Sequence, residues 1–511
     1  MTSVYVDGIG MTRFEKSSHD LKSLLREAGR NALATSKYPK PQAICIGTMN
    51  PEEFTGTGNI GSLTADEIGL LGIPSIRIET ASSSGAAAFS VAYAAVASGS
   101  YNSVLVIAGE KMTELSTTAA TRVLAEVIEI SEREAGASMP ALAAMITQAY
   151  MGKFRIPQEH MEKILAEVAI KNHFNGSLNP LAQFQKQITL EDYRKSKLVA
   201  DPLRLYDCCP ITDGAAALLL TREQTDIHVA GIGQGTDTLA VRQRGSLTSF
   251  MATRIAAKRA YEMAGIGPKE ISFAEIHDAF TSFEIINSED LGFFNEGAGW
   301  KAVEDGVTRL NGAFPINPSG GLKSRGHPVG ASGLAQIVES VWQMRGQVDA
   351  KRQVGKTGTA LTHSIGGLGN NNFVVILEKK TAMLHRRIGS YTLPTHISRS
   401  VDQDDGRAGE KDGVLETFTI LRVPPEGFPS PLVLGFVQAD GKMRYLARAM
   451  FLGKHQIGER VKVKKEGNVY FFRKVSLKEM LKSYFRSVAK NVQSLRKSYT
   501  TFRKRRLRRK S

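Results

Sequence analysis

Up to residue 380 the chain alternates two textures. Short continuous apolar runs, such as residues 104–108, read as buried strands. Longer stretches with apolar positions three and four apart, such as residues 21–35 and 253–264, read as helices. A run of small residues over 85–97 reads as another helix, entered from the short apolar stretch around Ile76 and Ile78. Alternation of this kind predicts an α/β fold in layers. The opening Val6-Asp-Gly-Ile-Gly10 returns as Val229-Ala-Gly-Ile-Gly233. Each copy precedes an amphipathic helix and then a strand, ending near Ile46 and Ile276. The repeated order predicts two halves of one fold, residues 1–225 and 226–380.

The pattern changes after residue 380. Residues 381–412 are polar, with Ser398, Asp402, Asp404, Asp405 and Gly406, and predict a linker. Residues 413–475 carry short β-rich runs at 415–421 and 432–437, with further strands marked by Val461, Val463 and Val469. Turn signals at Ala439-Asp-Gly441 and Glu466-Gly-Asn468 separate them. Such spacing predicts a small barrel. From 476 to 511 the apolar residues Leu477, Leu481, Tyr484, Val488, Val492, Leu495, Tyr499 and Phe502 recur at helical spacing, with Lys and Arg between them. This predicts a basic amphipathic helix.

Composition refines this picture. The net charge of +16 sits mostly in that tail, where residues 478–510 hold 13 Lys/Arg against one Glu. The rest of the chain is close to neutral for its length, so the body is not expected to bind polyanions. The tail has three open uses: packing on this protein or a partner enzyme, lying on an anionic membrane surface, or binding nucleic acid. The cysteines, Cys45, Cys208 and Cys209, lack metal-ligand spacing, so neither disulfides nor zinc are expected. With no long apolar run and no secretory leader pattern, the expected location is cytoplasmic.

The chemistry concentrates at strand ends and glycine-rich turns. Glu79-Thr-Ala-Ser-Ser-Ser-Gly85 places Ser82 between a strand and a helix N-terminus, where free N–H groups favour an anion and a nucleophile can sit. Glu275-Ile-His-Asp places His277 at a strand end. Gly320 to Gly333 is a glycine-rich loop around His327, and Thr362-His-Ser-Ile-Gly-Gly367 is a turn with His363. Glycines let amides approach an oxyanion, and imidazole exchanges protons near neutral pH. Acyl transfer through a thioester suits this set.

Taken in order, Lys171-Asn-His-Phe-Asn-Gly176 with Asn179-Pro180, Asp207-Cys-Cys-Pro-Ile-Thr-Asp-Gly214, His277-Asp278 and Gly326-His327-Pro328 resemble the thiolase superfamily, most nearly its archaeal and sterol-carrier-protein types. The resemblance spans roughly the part read as α/β layers. It implies a duplicated five-layer αβαβα thiolase-like fold, a homodimer or tetramer, and acyl-coenzyme A as substrate without a permanently bound cofactor. By that resemblance Ser82 occupies the position of the acylated cysteine. His327 matches the histidine that activates the nucleophile, and His277 its partner in an oxyanion hole. The amides of Ser82 and Gly366 match a second hole. Ser364 and Ala279 fall where other members carry an acid/base cysteine. Cys208 and Cys209 fall in a packing motif.

Gly413-Val-Leu-Glu-Thr-Phe-Thr-Ile-Leu-Arg-Val-Pro-Pro-Glu-Gly-Phe428 resembles the acyl-CoA-associated OB-fold domain of unknown function. That domain is usually preceded by a four-cysteine zinc ribbon, which has no counterpart here. Three functions remain open at this stage. One is an acetyl-CoA acetyltransferase-like enzyme using serine for cysteine. The others are an acyl-CoA retro-aldolase or lyase and a non-catalytic coenzyme A-binding scaffold.

Overall fold

The computed structural model describes residues 2–380, 409–439, 443–476 and 479. Most of the predicted linker and of the predicted basic helix lies outside them. The first half supplies β1 (Tyr5–Met11), β2 (Ala43–Gly47), β3 (Ser75–Ile78), β4 (Ser103–Glu110), the short β5 (Leu198–Ala200) and β6 (Leu203–Arg204), and β7 (Gly214–Thr221). The second supplies β8 (Ile227–Thr236), β9 (Phe273–Glu275), β10 (Thr359–Gly366) and β11 (Asn371–Lys379).

One mixed sheet runs through the body in the order β3-β2-β4-β7-β1-β8-β11-β10-β9. Strands β2 and β4 are parallel, while β4–β7 and β7–β1 are antiparallel. Across the molecule β9 and β10 are parallel, while β10–β11 and β11–β8 are antiparallel. The two halves therefore share one strand order and one set of directions, with β3 added at the outer edge of the first. They join where β1 pairs with β8, Tyr5 opposite His228.

The repeated glycine motif has a packing cause. A Cβ at Gly10 would stand 2.6 Å from Ala28 O, and one at Gly233 only 1.8 Å from Ala256 O. In both halves the sheet presses a helix, Leu21–Ala34 or Met251–Ala264, backbone to backbone. Only glycine leaves that gap. Between the halves lies the Val329–Arg345 helix. It touches β4 and β7 on one side and β10 on the other, and packs on the Ser84–Ala97 helix. The two helices form the buried centre of the body.

The C-terminal strands are β12 (Lys411–Leu421), β13 (Leu432–Ala439), β14 (Met443–Ala449), β15 (Arg460–Glu466) and β16 (Val469–Lys474). They run β13-β14-β16-β15-β12, and β13 pairs back with β12, so the sheet closes into a small barrel. Leu415, Val437, Tyr445, Val461, Val463 and Phe472 fill it. The first barrel strand begins at Lys411, four residues before the β-rich run at 415–421 and two before the expected start of the domain.

The barrel is stitched to the body. Leu421 of β12 pairs with Ala200 of β5, so the β5–β6 hairpin extends the barrel sheet. The apolar Met139–Phe154 helix lies beneath, and Thr417 Oγ1 donates to Met145 O at 2.8 Å. Arg444 forks onto Glu416 and donates to the carbonyls of Arg242 and Arg244. Arg448 donates to the carbonyls of Glu134 and Ala135.

The glycine contacts set a stability difference. Gly233→Ala must displace the Met251–Ala264 helix and is expected to cost about 3 kcal/mol, as overpacking does. Gly355→Ala meets nothing within 4 Å and is expected to stay within about 1 kcal/mol of the parent. Urea unfolding of both variants reads the contrast; equal midpoints would contradict the close-packing account.

Candidate active site

Ser82 stands two residues before the Ser84–Ala97 helix, just after Ala81, whose φ of 55° is left-handed. A non-glycine residue in that region costs about 1 kcal/mol and persists only where neighbours impose it. Here the neighbours are side chains of the same turn: Ser83 Oγ donates to Thr80 O at 2.8 Å, and Ser84 Oγ to Ala81 O at 2.6 Å. Ser83 Oγ also reaches Asn371 O of β11 at 3.1 Å. Ser82 itself is half-buried. Gly366 lies against the same turn, where a Cβ would be 2.4 Å from Thr80 O and 2.5 Å from Ser83 Oγ. A second helix N-terminus meets the first. Gly85 faces Gly330 so closely that a Cβ there would stand 2.6 Å from Gly330 O. The positive ends of two buried helices thus converge beside Ser82 and His327.

His277 and His327 cross edge to face, ring centroids 5.1 Å apart, and both are buried. Their partners assign their protons. Ile365 N donates to His277 Nδ1 at 3.2 Å, so His277 carries its proton on Nε2. His327 Nδ1 lies 2.7 Å from Ser332 Oγ, and that hydroxyl donates to Pro328 O at 3.1 Å. With its one proton used on the carbonyl, Ser332 accepts from Nδ1–H, which leaves the His327 Nε2 lone pair free. One ring is a donor and its neighbour an acceptor. Burial, and then the His327 charge, hold His277 well below the usual histidine range. Burial, and then Arg325, push His327 down to about 3. Both rings are neutral at physiological pH.

His363 sits differently. Its Nε2 is 3.0 Å from Thr253 Oγ1, which donates to Asn287 Oδ1 and accepts from Asn372 Nδ2. The hydroxyl has no second proton, so His363 Nε2–H donates to it. Alternation along β10 sends His363 to one face and Ser364 to the other. Ser364 packs on the central helix, where a Cβ at Gly333 would stand 2.6 Å from Ser364 Oγ. Of the six residues predicted from sequence, the structure joins His277 to His327 and Gly366 to the Ser82 turn. Ser364 borders the central helix, and the His363 ring belongs to the Thr253 layer.

A buried polar lattice holds the histidine segments. Lys171 Nζ contacts Glu284 Oε1 at 2.7 Å and donates to Ile316 O. Asn172 Nδ2 bridges Asp278 and Glu284 at 2.7 and 2.9 Å. Asn317, left-handed at φ 58°, accepts from Ile276 N and donates to Glu284. Asp278 accepts from Leu322 N at 2.6 Å, and burial with the Glu284 charge raises it to about 7. On the far side Glu110 accepts from Met49 N, Asn50 N and Gly330 N, while burial raises it to about 7. It pins the start of the central helix three residues after His327. Glu110, Glu284 and Arg325 carry no local sequence signal, because a single charged residue read in a short window looks solvent-facing. Burial pushes the thiols of Cys208 and Cys209 up, Cys209 to about 12, so neither is a ready nucleophile. Among the described residues no group of His, Cys, Asp and Glu is arranged to hold a metal.

Residues 4–224 match the model of the thiolase N-terminal domain, and residues 233–379 that of the thiolase C-terminal domain. The acetyl-CoA acetyltransferase of Methanothermobacter thermautotrophicus is 41% identical over 390 residues, covering 74% of this chain and all of that protein. Two solved structures share the fold. A monomeric SCP2-thiolase-like protein of Mycobacterium smegmatis covers 92% of this chain and 99% of its own at a TM-score of 0.70 and 15% identity. An Ltp2-ChsH2(DUF35) aldolase covers 74% and 98% at 0.63 and 22%. Sequence likeness over the whole length of the acetyltransferase, with matches to both domain models, establishes that this chain belongs to the thiolase superfamily.

Proposed function

We propose that this chain is a thiolase-type acyltransferase that makes or breaks a carbon–carbon bond next to a coenzyme A thioester, with serine as the acyl carrier. The observation that carries the proposal is the crossed, neutral His277–His327 pair with complementary protonation, beside two converging helix N-termini. His327 Nε2 takes the Ser82 proton as Oγ attacks the thioester carbonyl. His277 Nε2–H and the amides of Ser82 and Gly366 stabilise the oxyanion. The C–S bond then breaks, and the leaving thiolate takes the proton back from His327. Ser364 stands where proton transfer to the second substrate would occur, and His363 supports β10 from behind. A serine alkoxide needs stronger base assistance than a thiol, and its oxygen ester returns acyl groups less readily. The absence of cysteine at positions 82, 279 and 364 therefore favours one second reading. A lyase acting through an enolate would keep the oxyanion donors and need no nucleophile.

The same proposal extends to assembly. The barrel order, with β14 and β16 parallel, fits an OB-type domain. Its place on the body would set it near the acyl-CoA entrance. The chain would divide near residues 225, 380, 412 and 475. The outer edge of β3 supports a homodimer through the body, since Ile76 is 57% exposed and nearby Leu71 72%. No helix among the described residues is long and apolar enough to cross a membrane.

Intact-protein mass spectrometry after mixing with acetyl-CoA is expected to show one acetyl adduct, absent in Ser82→Ala and formed about a hundredfold more slowly in His327→Ala, as loss of a general base predicts. Turnover that survives Ser82→Ala but fails in His327→Ala, with no adduct, would instead favour the lyase or a direct transfer.

The rate of adduct formation should also report the His327 state. Its value in the fold is depressed from 6.5, so the base form persists as pH falls through the ordinary histidine range. A flat rate from about pH 8 down to about pH 5 is expected, and a fall centred on the usual value would contradict the assignment.

Light scattering is expected to give twice the chain mass at micromolar concentration, and Ile76→Asp to give the monomer. A monomeric parent protein would rule out the dimer.

A further inference from the structure

Arg325 is among the largest fully buried side chains of the molecule. None of its guanidinium nitrogens donates a hydrogen bond among the described residues. Its counter-charge is Glu275, equally buried, with Nη1 3.6 Å from Oε2. The ring of Phe14 lies 5.6 Å from the guanidinium carbon. A cation without hydrogen bonds in such a place is costly, and a fold that only needed filling would use an apolar side chain.

The placement of the pair explains its presence. Glu275 lies two residues before His277, and Arg325 two residues before His327. Each partner is anchored independently of the other. Glu275 accepts from Ser319 N at 2.9 Å and Ser319 Oγ at 2.6 Å. Arg325 O accepts from Gln183 N at 2.9 Å. The ion pair therefore links two chain segments, from β9 and from the loop before the central helix, at the level where their histidines cross. The charges facing the rings are few. His277 faces His327, His363 and Arg325; His327 faces Arg325; and Glu339 faces Glu275 from the central helix. Of these Arg325 alone is a permanent cation.

We propose that the buried Arg325–Glu275 pair is a positioning device for the two histidines: it fixes the segments that carry them and holds a permanent positive charge beside both rings. The inference rests on the reading of His277 and His327 as the reacting pair, and adds a group that works with burial to keep them neutral and that orients the segments carrying them. The charge also favours any oxyanion that forms between them.

Two measurements without any acyl-CoA test the device, so their outcome is separate from whether the chain transfers acyl groups. In the first, deuterium exchange at the imidazole C2–H is followed by mass spectrometry across pH, with exposed His19 as internal reference. Arg325→Met and Arg325→Gln are expected to raise the midpoints of His277 and His327 by about one pH unit, tenfold in proton affinity. Arg325→Lys, which keeps the charge, should leave both low. Midpoints unchanged in a folded Met or Gln variant would overturn the charge role. In the second, Glu275→Gln keeps the arginine and removes its counter-charge. Amide exchange at about pH 8, above the value of about 7 to which burial raises Glu275, is expected to quicken at least tenfold in 276–279 and 325–327 together. Loosening of one segment alone, or of neither, would overturn the link. This variant decides the matter if neither neutral Arg325 variant folds.

Discussion

The contact on which the site depends is a lysine meeting a glutamate out of water. Lys171 and Glu284 touch at 2.7 Å with side chains 5% and 1% exposed. Removing one partner of such a pair typically costs about 3–5 kcal/mol, because the other charge is stranded. The pair persists because further hydrogen bonds support both partners. Ile316 O accepts a hydrogen bond from the lysine, while Asn172 and Asn317 donate to the carboxylate. Through those asparagines the lattice reaches Ile276 N and Asp278, the residues on either side of His277. The Gln158–Ser177 helix, the Thr281–Asp290 helix and the loop before the central helix are thereby tied at one point. The histidine pair inherits its rigidity from this lattice.

Rigidity of this kind suits chemistry run by neutral imidazoles. In water a histidine changes charge near neutral pH and reorients with its solvent shell. Here burial removes both freedoms. What remains is a fixed donor, a fixed acceptor and the positive ends of two helices, arranged before any substrate arrives. On the proposed mechanism this preorganisation has to compensate for a hydroxyl that, unlike a thiol, has almost no anionic fraction of its own.

Much of the architecture is legible in the sequence because its causes are local. The periodicity of residues 21–35 and 253–264 matches the helices Leu21–Ala34 and Met251–Ala264 to within two residues. The run at 432–437 lies inside β13. The echoed glycines mark places where two backbones nearly touch, a demand no other residue meets. His327 stands out because a glycine-rich loop surrounds it, and His277 because it ends a strand pattern. What escapes is long-range. Nothing near Leu198 announces that it will sit in a hairpin added to a barrel two hundred residues later. Nothing near Glu284 shows that its charge will be answered by Lys171. His363 looks equivalent to His327, since glycines mark the turns around both; only the face of β10 it occupies separates it. Arg325 reads as a surface residue for the same reason: a local window cannot show how deep a charge lies.

The stitch between β12 and β5 has a consequence for how the chain can be divided. An unpaired strand edge beside an apolar helix face is an invitation to misassembly, and proteins shield such edges. In this chain the shield is encoded two hundred residues after the edge it covers. A body released without its barrel would present the β5 edge and the Met139–Phe154 helix to solvent at once, and a barrel released alone would present the matching edge of β12. The two parts are distinct in the pattern of their sequence, yet neither is self-sufficient at its surface. Because residue 421 is made after the body, the β5 edge stays uncovered for as long as the body emerges ahead of its barrel, which lengthens the exposure of a pairing edge during folding.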